Sequence, residues 1–290
     1  MKVGIKVKFW GVRGSVPTPG VKYVKYGGNT ACVELRLPDN QLFIFDAGTG
    51  IRELGNSLCN DVKKLNAHIF LSHFHWDHIQ GLPFFMPSYV KGNQIIIHGM
   101  DLEGAKLDKI LSNQMESIYF PVKMQSLAAD IQFRKLSDES NIIEGAEVDT
   151  MYINHPGQAM GYVVTFKKTK ICYFTDNEIP PAWAIETIPL RYRPDTREKI
   201  LKLISGADLL IHDAQYTDEE YKTKVGWGHS PLTEVAKLAE DAEVKRLALF
   251  HHDPDHFDDN IDVFMANCKE TESCNVTECF AAQEGMELHF

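Results

Sequence analysis

The sequence predicts an α/β protein that runs twice through strands followed by helices, giving a four-layer αββα sandwich. Three observations lead there. Apolar runs of strand length, broken by Gly and Pro turns, fill the first third and return after position 140. Helical spacing of apolar residues follows each set of strands, and elements of this kind bury their faces by stacking in layers. No stretch rich in Gly, Ser or Pro divides the chain, so its 290 residues read as one domain, 1–290.

Strands are expected at Ile5–Trp10, Ala31–Leu37, Gln41–Phe45 and His68–Ser72. Polar and apolar residues alternate through Cys32–Leu37, as in a half-buried antiparallel strand, and Pro38-Asp39-Asn40 supplies its hairpin turn. A helix is expected over 47–58, a second after the histidine-rich segment, and a third over Asp101–Met115 with Asp101 as cap. The second half repeats the order, with strands at Glu147–Ile153, Gly161–Lys167 and Lys170–Phe174, then a helix at 196–205. A strand at Asp208–His212, a helix at 231–242, a strand at Arg246–Phe250 and a closing pair near Cys274–Ala281 and Met286–Phe290 complete it. Residues 178–195, with Pro180, Pro181, Pro189 and Pro194, read as an inserted loop of the kind used as a lid or binding element.

A hydrophobic content of 44% supports a sizeable core, and a net charge of −10 argues against nucleic acid as partner. Lys22, Lys25, Arg191, Arg193 and Arg197 form two local basic stretches, read either as solvated surface or as a phosphate-binding rim. No apolar run reaches the roughly 18 residues of a membrane helix, and the N-terminal residues lack a signal-peptide core, so the expected compartment is the cytoplasm. The six cysteines show no C-x-x-C pair and read as reduced thiols, with a site at Cys268, Cys274 and Cys279 fitting no familiar zinc spacing.

The strongest chemical signal is His73-x-His75-x-Asp77-His78, directly after the apolar run His68–Ser72. Imidazoles and a carboxylate at a strand end are donors that divalent cations such as zinc prefer; the alternative is an ordinary histidine cluster. This motif resembles the defining H-x-H-x-D-H of the metallo-β-lactamase superfamily, and other landmarks follow in order. His155 comes after Met151–Asn154, Asp176 ends Tyr173-Phe174-Thr175, and His251 follows Leu247–Phe250. The resemblance implies that His73, His75 and His155 hold one metal, that Asp77, His78 and His251 hold another, and that Asp176 bridges them. His252 stands as the alternative to His251, and His256 is read as a surface residue or as a support to the ligands.

Two divalent metals, zinc or else manganese or iron, would lower the pKa of a bridging water, and Asp77 could orient the resulting hydroxide. The segments Asp208–Ala214 and Gly228–Thr233 are similar to paired motifs of the ribonuclease Z branch, with Asp213 where a Glu usually stands. That similarity implies phosphodiester chemistry. His229 would act as general acid, oriented by Asp213; otherwise His229 caps the helix near Pro231. Gly11–Pro17 and Tyr26–Thr30 resemble the Gly-rich openings of phosphodiesterase-like members and read either as close approaches to a ligand near Asn29 or as hairpin turns. Asp46, within Asp46-Ala47-Gly48-Thr49-Gly50, is expected to pack beneath the metal loop.

The resulting expectation is a binuclear metal-dependent phosphodiesterase acting on a small phosphodiester such as a cyclic nucleotide, without membrane association and as a homodimer by resemblance. A transfer-RNA 3′-processing endonuclease is the alternative, disfavoured by the charge and by the lack of a long Gly- and Lys-rich arm. Lactone or thioester hydrolysis follows, because one fold hosts several chemistries. A metal-binding scaffold without activity is the remaining class.

Overall fold

A computed structural model describes residues 4–59, 64–137, 139–187, 195–270 and 278–290. The chain divides into two compact units, one made of Met1–Pro19, Gly27–Ser137 and Gln283–Phe290, the other of Gly20–Tyr26 and Asp138–Ala282. Each unit contains one seven-stranded mixed sheet with helices.

The first sheet is built from β1 (Lys6–Gly11), β2 (Cys32–Arg36), β3 (Leu42–Phe45), β4 (Asn66–Phe70), β5 (Gln94–Gly99), β6 (Asp130–Lys135) and β14 (Glu287–His289), in the order β14-β1-β2-β3-β4-β5-β6. Pairings from β14 to β3 are antiparallel and those from β3 to β6 are parallel. The second sheet is built from β7 (Ser140–Ile143), β8 (Ala146–Ile153), β9 (Ala159–Phe166), β10 (Thr169–Phe174), β11 (Leu209–Asp213), β12 (Arg246–Phe250) and β13 (Glu278–Ala281). It repeats the pattern, antiparallel from β7 to β10 and parallel from β10 to β13. In both units a meander hands over to parallel strands. The carboxyl ends of such strands are where side chains of α/β proteins converge on a ligand.

The helices cover the parallel parts: α1 (Gly50–Cys59), α2 (Trp76–Ile79) and α3 (Leu107–Asn113) in the first unit. In the second unit they are α4 (Asp195–Ile204), α5 (Asp218–Tyr221), α6 (Leu232–Asp241) and α7 (Asp258–Glu270). Each unit has its own core. Ile51 and Leu54 of α1 pack on Ile44, Ile69 and Ile97 of the first sheet, while Val235, Leu238 and Ala239 of α6 join Leu210, Leu247 and Leu249 in the second. Leu54 is fully buried, and truncating it to Ala should cost about 2–5 kcal/mol.

Several expectations shift in detail. Asp101 does not start a helix directly; its Oδ1 accepts from Leu107 N–H at 2.9 Å, and α3 begins only there. The helix expected after the histidine segment instead lies within it: α2 carries Asp77 and His78 and is four residues long, and a further turn, Leu82–Phe84, follows. Strands β5, β6 and β7 and helix α7 were not anticipated, and Arg191, Arg193, Pro189, Pro194 and Cys274 lie outside the described residues. Cys32 and Cys172 are buried, and burial pushes their thiols up, as expected of inert, reduced side chains. No helix among the described residues is long and apolar enough to cross a membrane.

His68 on β4 and His98 on β5 form a buried imidazole pair, Nδ1 to Nε2 at 2.9 Å, with His98 stacked on Phe70 at 4.6 Å between centroids. Burial, followed by the charges of His68 and Arg134, pushes His98 down to about 3 from an ordinary 6.5. Between those values the unfolded chain takes up a proton that the native state refuses. The stability is therefore fully present above pH 6.5 and is lost as pH falls towards 3. His98→Phe keeps the stack and should flatten the fall in Tm between pH 6.5 and 4; an unchanged slope would contradict this account.

Candidate metal centre

In the first unit the donors gather where β3 and β4 end. Asp46 follows β3 in a left-handed backbone conformation, φ 58°, which non-glycine residues adopt only when their surroundings hold them there. Its Oδ1 accepts from Ser72 N–H at 2.7 Å, and its Oδ2 accepts from the Ser72 hydroxyl and His78 Nδ1, both at 2.8 Å. Because a carboxylate only accepts, His78 carries its proton on Nδ1 and presents Nε2 outward. That Nε2 stands 3.2 Å from Asp77 Oδ2. The same Oδ2 accepts from the backbone N–H of Ser15 at 2.7 Å. His73 is buried, its ring 4.5 Å from His75 and 4.2 Å from His78 between centroids. Gly48 lets the Asp46–Gly50 turn lie against this loop, since a Cβ there would stand 2.3 Å from the carbonyl oxygen of Asp77.

The Gly-rich openings serve the same loop indirectly. Arg13 is fully buried and donates from Nε to Gly27 O at 2.8 Å, joining the two motifs. Asn29 donates from its backbone N–H and its Nδ2 to the carboxylate of Glu284, so its amide is engaged in holding the turn. The contribution of Ser15 is a main-chain N–H, which residue type does not advertise.

In the second unit the donors stand at the ends of β8, β10 and β12. His155 follows β8 and its Nδ1 donates to Gly228 O at 3.2 Å, leaving Nε2 at 3.8 Å from Asp176 Oδ2. Asp176 follows β10 at φ 53°, and its other oxygen, Oδ1, lies 3.1 Å from His251 Nε2. The two oxygens thus address two different imidazoles. His251 follows β12 at φ 59°. Its neighbour His252 turns the other way, with Nε2 2.9 Å from Ala282 O and its ring edge on Tyr26. His256 pairs with Glu220 at 2.8 Å.

Beside these residues stands His229, its ring stacked on His251 at 5.0 Å and edge-on to His155 at 5.4 Å. Its Nδ1 is 3.6 Å from Asp213 Oδ2. Asp213 is fully buried; Oδ1 accepts from Asn177 N–H at 2.8 Å and Oδ2 from Ser230 N–H at 2.9 Å. Helix α6 starts after Pro231 with no side-chain cap, so His229 is not engaged in capping it. His212 is buried with Nδ1 2.6 Å from Asp213 O, and desolvation pushes its pKa down, so this imidazole stays neutral. Asn177, Ser230 and Glu178, which tie these loops together, went unnoticed in the sequence because their work is done on backbone groups of distant segments.

The donor chemistry fits divalent cations. His78 Nε2 and Asp77 Oδ2 are two acceptors facing each other, and the same holds for His155 Nε2 against Asp176 Oδ2. Buried groups set this way need a cation or a proton between them. The basic stretches take no part among the described residues: Lys22 lies over Phe257, Lys25 pairs with Asp262 and Arg197 with Asp241.

Two units of repeated topology with His and Asp clusters at their strand ends define a hydrolase scaffold suited to a dinuclear metal site. Residues 42–252 match the family described as Beta-lactamase superfamily domain, and the chain belongs to that family. A ribonuclease Z from Synechococcus sp. (strain CC9311) is 27% identical over 289 residues, covering 86% of this chain and 88% of that protein. One from Thermoplasma acidophilum is 26% identical over 303 residues, with 88% of each covered. Among solved structures, YhfI from Bacillus subtilis, a metallo-β-lactamase fold protein, superposes with a TM-score of 0.70 at 16% identity, covering 99% of this chain and 100% of that one. Unliganded yeast PDE1 gives 0.68 at 14% identity, covering 99% and 100%. The fold is therefore the metallo-β-lactamase fold expected from the sequence, and the chain is a hydrolase of that superfamily in its ribonuclease Z-like branch.

Asp46→Asn removes one acceptor from the group that orients His78. Metal affinity measured by competition with a chromogenic chelator should fall about 10- to 100-fold. Unchanged affinity would mean that Asp46 does not set the ring.

Proposed function

We propose that this protein is a metal-dependent phosphodiesterase acting on a small phosphodiester, with a cyclic nucleotide as the first candidate substrate. His73, His75, His155 and Asp176 would hold one divalent ion, and Asp77, His78, Asp176 and His251 the second. When bound, such ions supply Lewis acidity to the phosphoryl group and bring the pKa of water towards neutrality. The donor set accepts zinc, manganese or iron.

The observation that carries the reading is His229, held beside His155 and His251 with its Nδ1 facing Asp213. Cleaving a phosphodiester of an ordinary alcohol expels a strongly basic alkoxide, which leaves readily only if it is protonated as the bond breaks. With Nδ1 towards the Asp213 carboxylate, Nε2 is the atom that gives its proton to the leaving oxygen. Asp213 stabilises the cationic imidazole before the transfer, and through Ser230 N–H it fixes the loop that carries the ring. Asp77, steadied by Ser15 N–H, orients the attacking water. Lactones and thioesters have less need of such a donor.

A small substrate is favoured over RNA by chain geometry as well as charge. Residues 154–158 join β8 to β9, and 167–168 join β9 to β10, so neither connection forms an extended RNA-binding arm. Transfer-RNA 3′ processing stays the second reading, favoured by the ribonuclease Z relatives, which match along most of the chain. Partners beyond the substrate are not required by either reading, and a homodimer is proposed by resemblance alone.

Purified protein with its metals quantified should hydrolyse bis-p-nitrophenyl phosphate and cyclic AMP or cyclic GMP, while leaving precursor transfer RNA intact. Cleavage of the RNA without turnover of the cyclic nucleotides would move the assignment to the nuclease. Failure on every phosphodiester by metal-loaded protein would end the reading. His229→Ala should slow alkyl phosphodiesters about 10²- to 10⁴-fold, the range for general-acid catalysis, and p-nitrophenyl esters far less. Equal losses on both would remove His229 from the role of proton donor. His75→Ala should lower metal content and activity together, and full activity at full loading would remove it from the ligand set.

A further inference from the structure

Residues 222–231, between α5 and α6, lead directly into His229 and contain a feature that the chemistry above leaves unused. Glu178 is fully buried and accepts three hydrogen bonds: from the Tyr221 hydroxyl at 2.6 Å, Gly226 N–H at 2.7 Å and Gly228 N–H at 2.9 Å. A buried carboxylate met by three donors is a strong anchor, and here two of them are main-chain groups of one turn. Trp227 sits between the two anchored glycines, and its own N–H donates to Lys224 O at 3.1 Å. The next residue, Gly228, receives the His155 proton on its carbonyl at 3.2 Å and leaves no room for a Cβ, which would meet His155 Nδ1 at 2.1 Å. The turn is thus tied to the metal-ligand loop on one side and to His229 on the other.

On this fixed backbone the indole of Trp227 is 56% exposed, with the Lys224 ammonium 3.9 Å from its ring centroid. Single apolar side chains on a surface are ordinary and need no explanation. A large flat ring whose backbone is held from both sides by a buried carboxylate is different. Its main chain is fixed before any ligand arrives, so stacking on it need order only the side chain. The Lys224 ammonium lies over one face of the ring, a cation–π contact that holds it there. Position decides what the ring would meet. Trp227 precedes His229, the proposed proton donor, by two residues on the same anchored turn.

We propose that Trp227 is a stacking platform for the nucleobase of the nucleoside on the leaving-group side of the substrate. The inference rests on the phosphodiesterase reading for the direction of the substrate and deepens it, because it makes the substrate a nucleoside phosphodiester and not a dialkyl one. Lys224 lies over one face of the ring, so the base stacks on the other, and Glu178 is the positioning residue that holds the turn.

The test compares Trp227→Ala and Trp227→Phe with the wild type on the dinucleoside monophosphate ApA and on glycerophosphoethanolamine, which has no ring to stack. Stacking of one base corresponds to about a 5- to 100-fold effect. For Trp227→Ala, KM for ApA should rise at least about five-fold more than KM for glycerophosphoethanolamine, and Trp227→Phe should recover most of the difference. Equal changes for the two substrates, or no change for either, would overturn the proposal. If the wild type turns over no phosphodiester, the parent reading falls, and quenching by adenosine then decides the platform alone. Quenching of the wild-type tryptophan fluorescence that is lost in Trp227→Ala upholds it, and quenching that survives the substitution rejects it. Glu178→Gln puts an amide where two N–H groups need acceptors, and it should reproduce the selective rise in KM for ApA. A loss that is the same for both substrates would deny Glu178 its positioning role.

Discussion

The carboxylate of Asp213 is the contact on which the rest of the second unit depends. It sits at the end of a central parallel strand with no exposure to solvent, where an ion without partners would be severely penalised. The donors it receives are the N–H groups of Asn177 and Ser230, which are the residues immediately after Asp176 and His229. One buried charge therefore sets the position of a bridging-type carboxylate and of an imidazole at once. Ser230 adds its hydroxyl to the Asn177 carbonyl and accepts from Ile179 N–H at 2.8 Å, so the two loops are tied together again a few ångströms away.

Asp176, which this contact positions, has a counterpart in the first unit. Asp46 leaves β3 and Asp176 leaves β10, the last strand of each meander, and both adopt the left-handed conformation. In the first unit the carboxylate is consumed by Ser72 and His78 and acts as a support for a metal-ligating ring. In the second it faces His155 and His251 with separate oxygens. A repeated topology has placed a carboxylate at the same station twice, and the neighbouring donors decide whether it supports or binds. Left-handed backbone at Asp46, Asp176 and His251 carries a steric cost that survives only where the surroundings fix it, which is common in functional loops.

This arrangement suits hydrolysis of an ester with a poor leaving group. The candidate ligands follow strand ends, so that metal geometry would be set largely by the sheets that carry them. His229, the proposed proton donor, comes from a loop held by two buried carboxylates, Asp213 on one side and Glu178 on the other. The same loop exposes Trp227, so that in the proposed reading protonation of the leaving group and recognition of what is attached to it would share one support.

The sequence by itself determined the α/β class, the repeat of strands and helices, and the H-x-H-x-D-H cluster, because hydrophobic periodicity and side-chain donors are written locally. His155, Asp176 and His251 were legible for a related reason: each follows an apolar strand and matches a family landmark in order. Strands β5 to β7 were missed although 95–97 is a run of isoleucine and 130–134 alternates, and the start of α3 was misplaced because Asp101 reaches six residues along to Leu107. Only the tertiary structure decided which way each ring turns. His251 faces Asp176 while His252 faces Ala282; Ser15 steadies Asp77 through a main-chain N–H; Asn29 is consumed by Glu284. These contacts join residues far apart in the chain, many of them through backbone groups that every residue possesses, and no pattern of side chains along the chain announces where a backbone N–H will point.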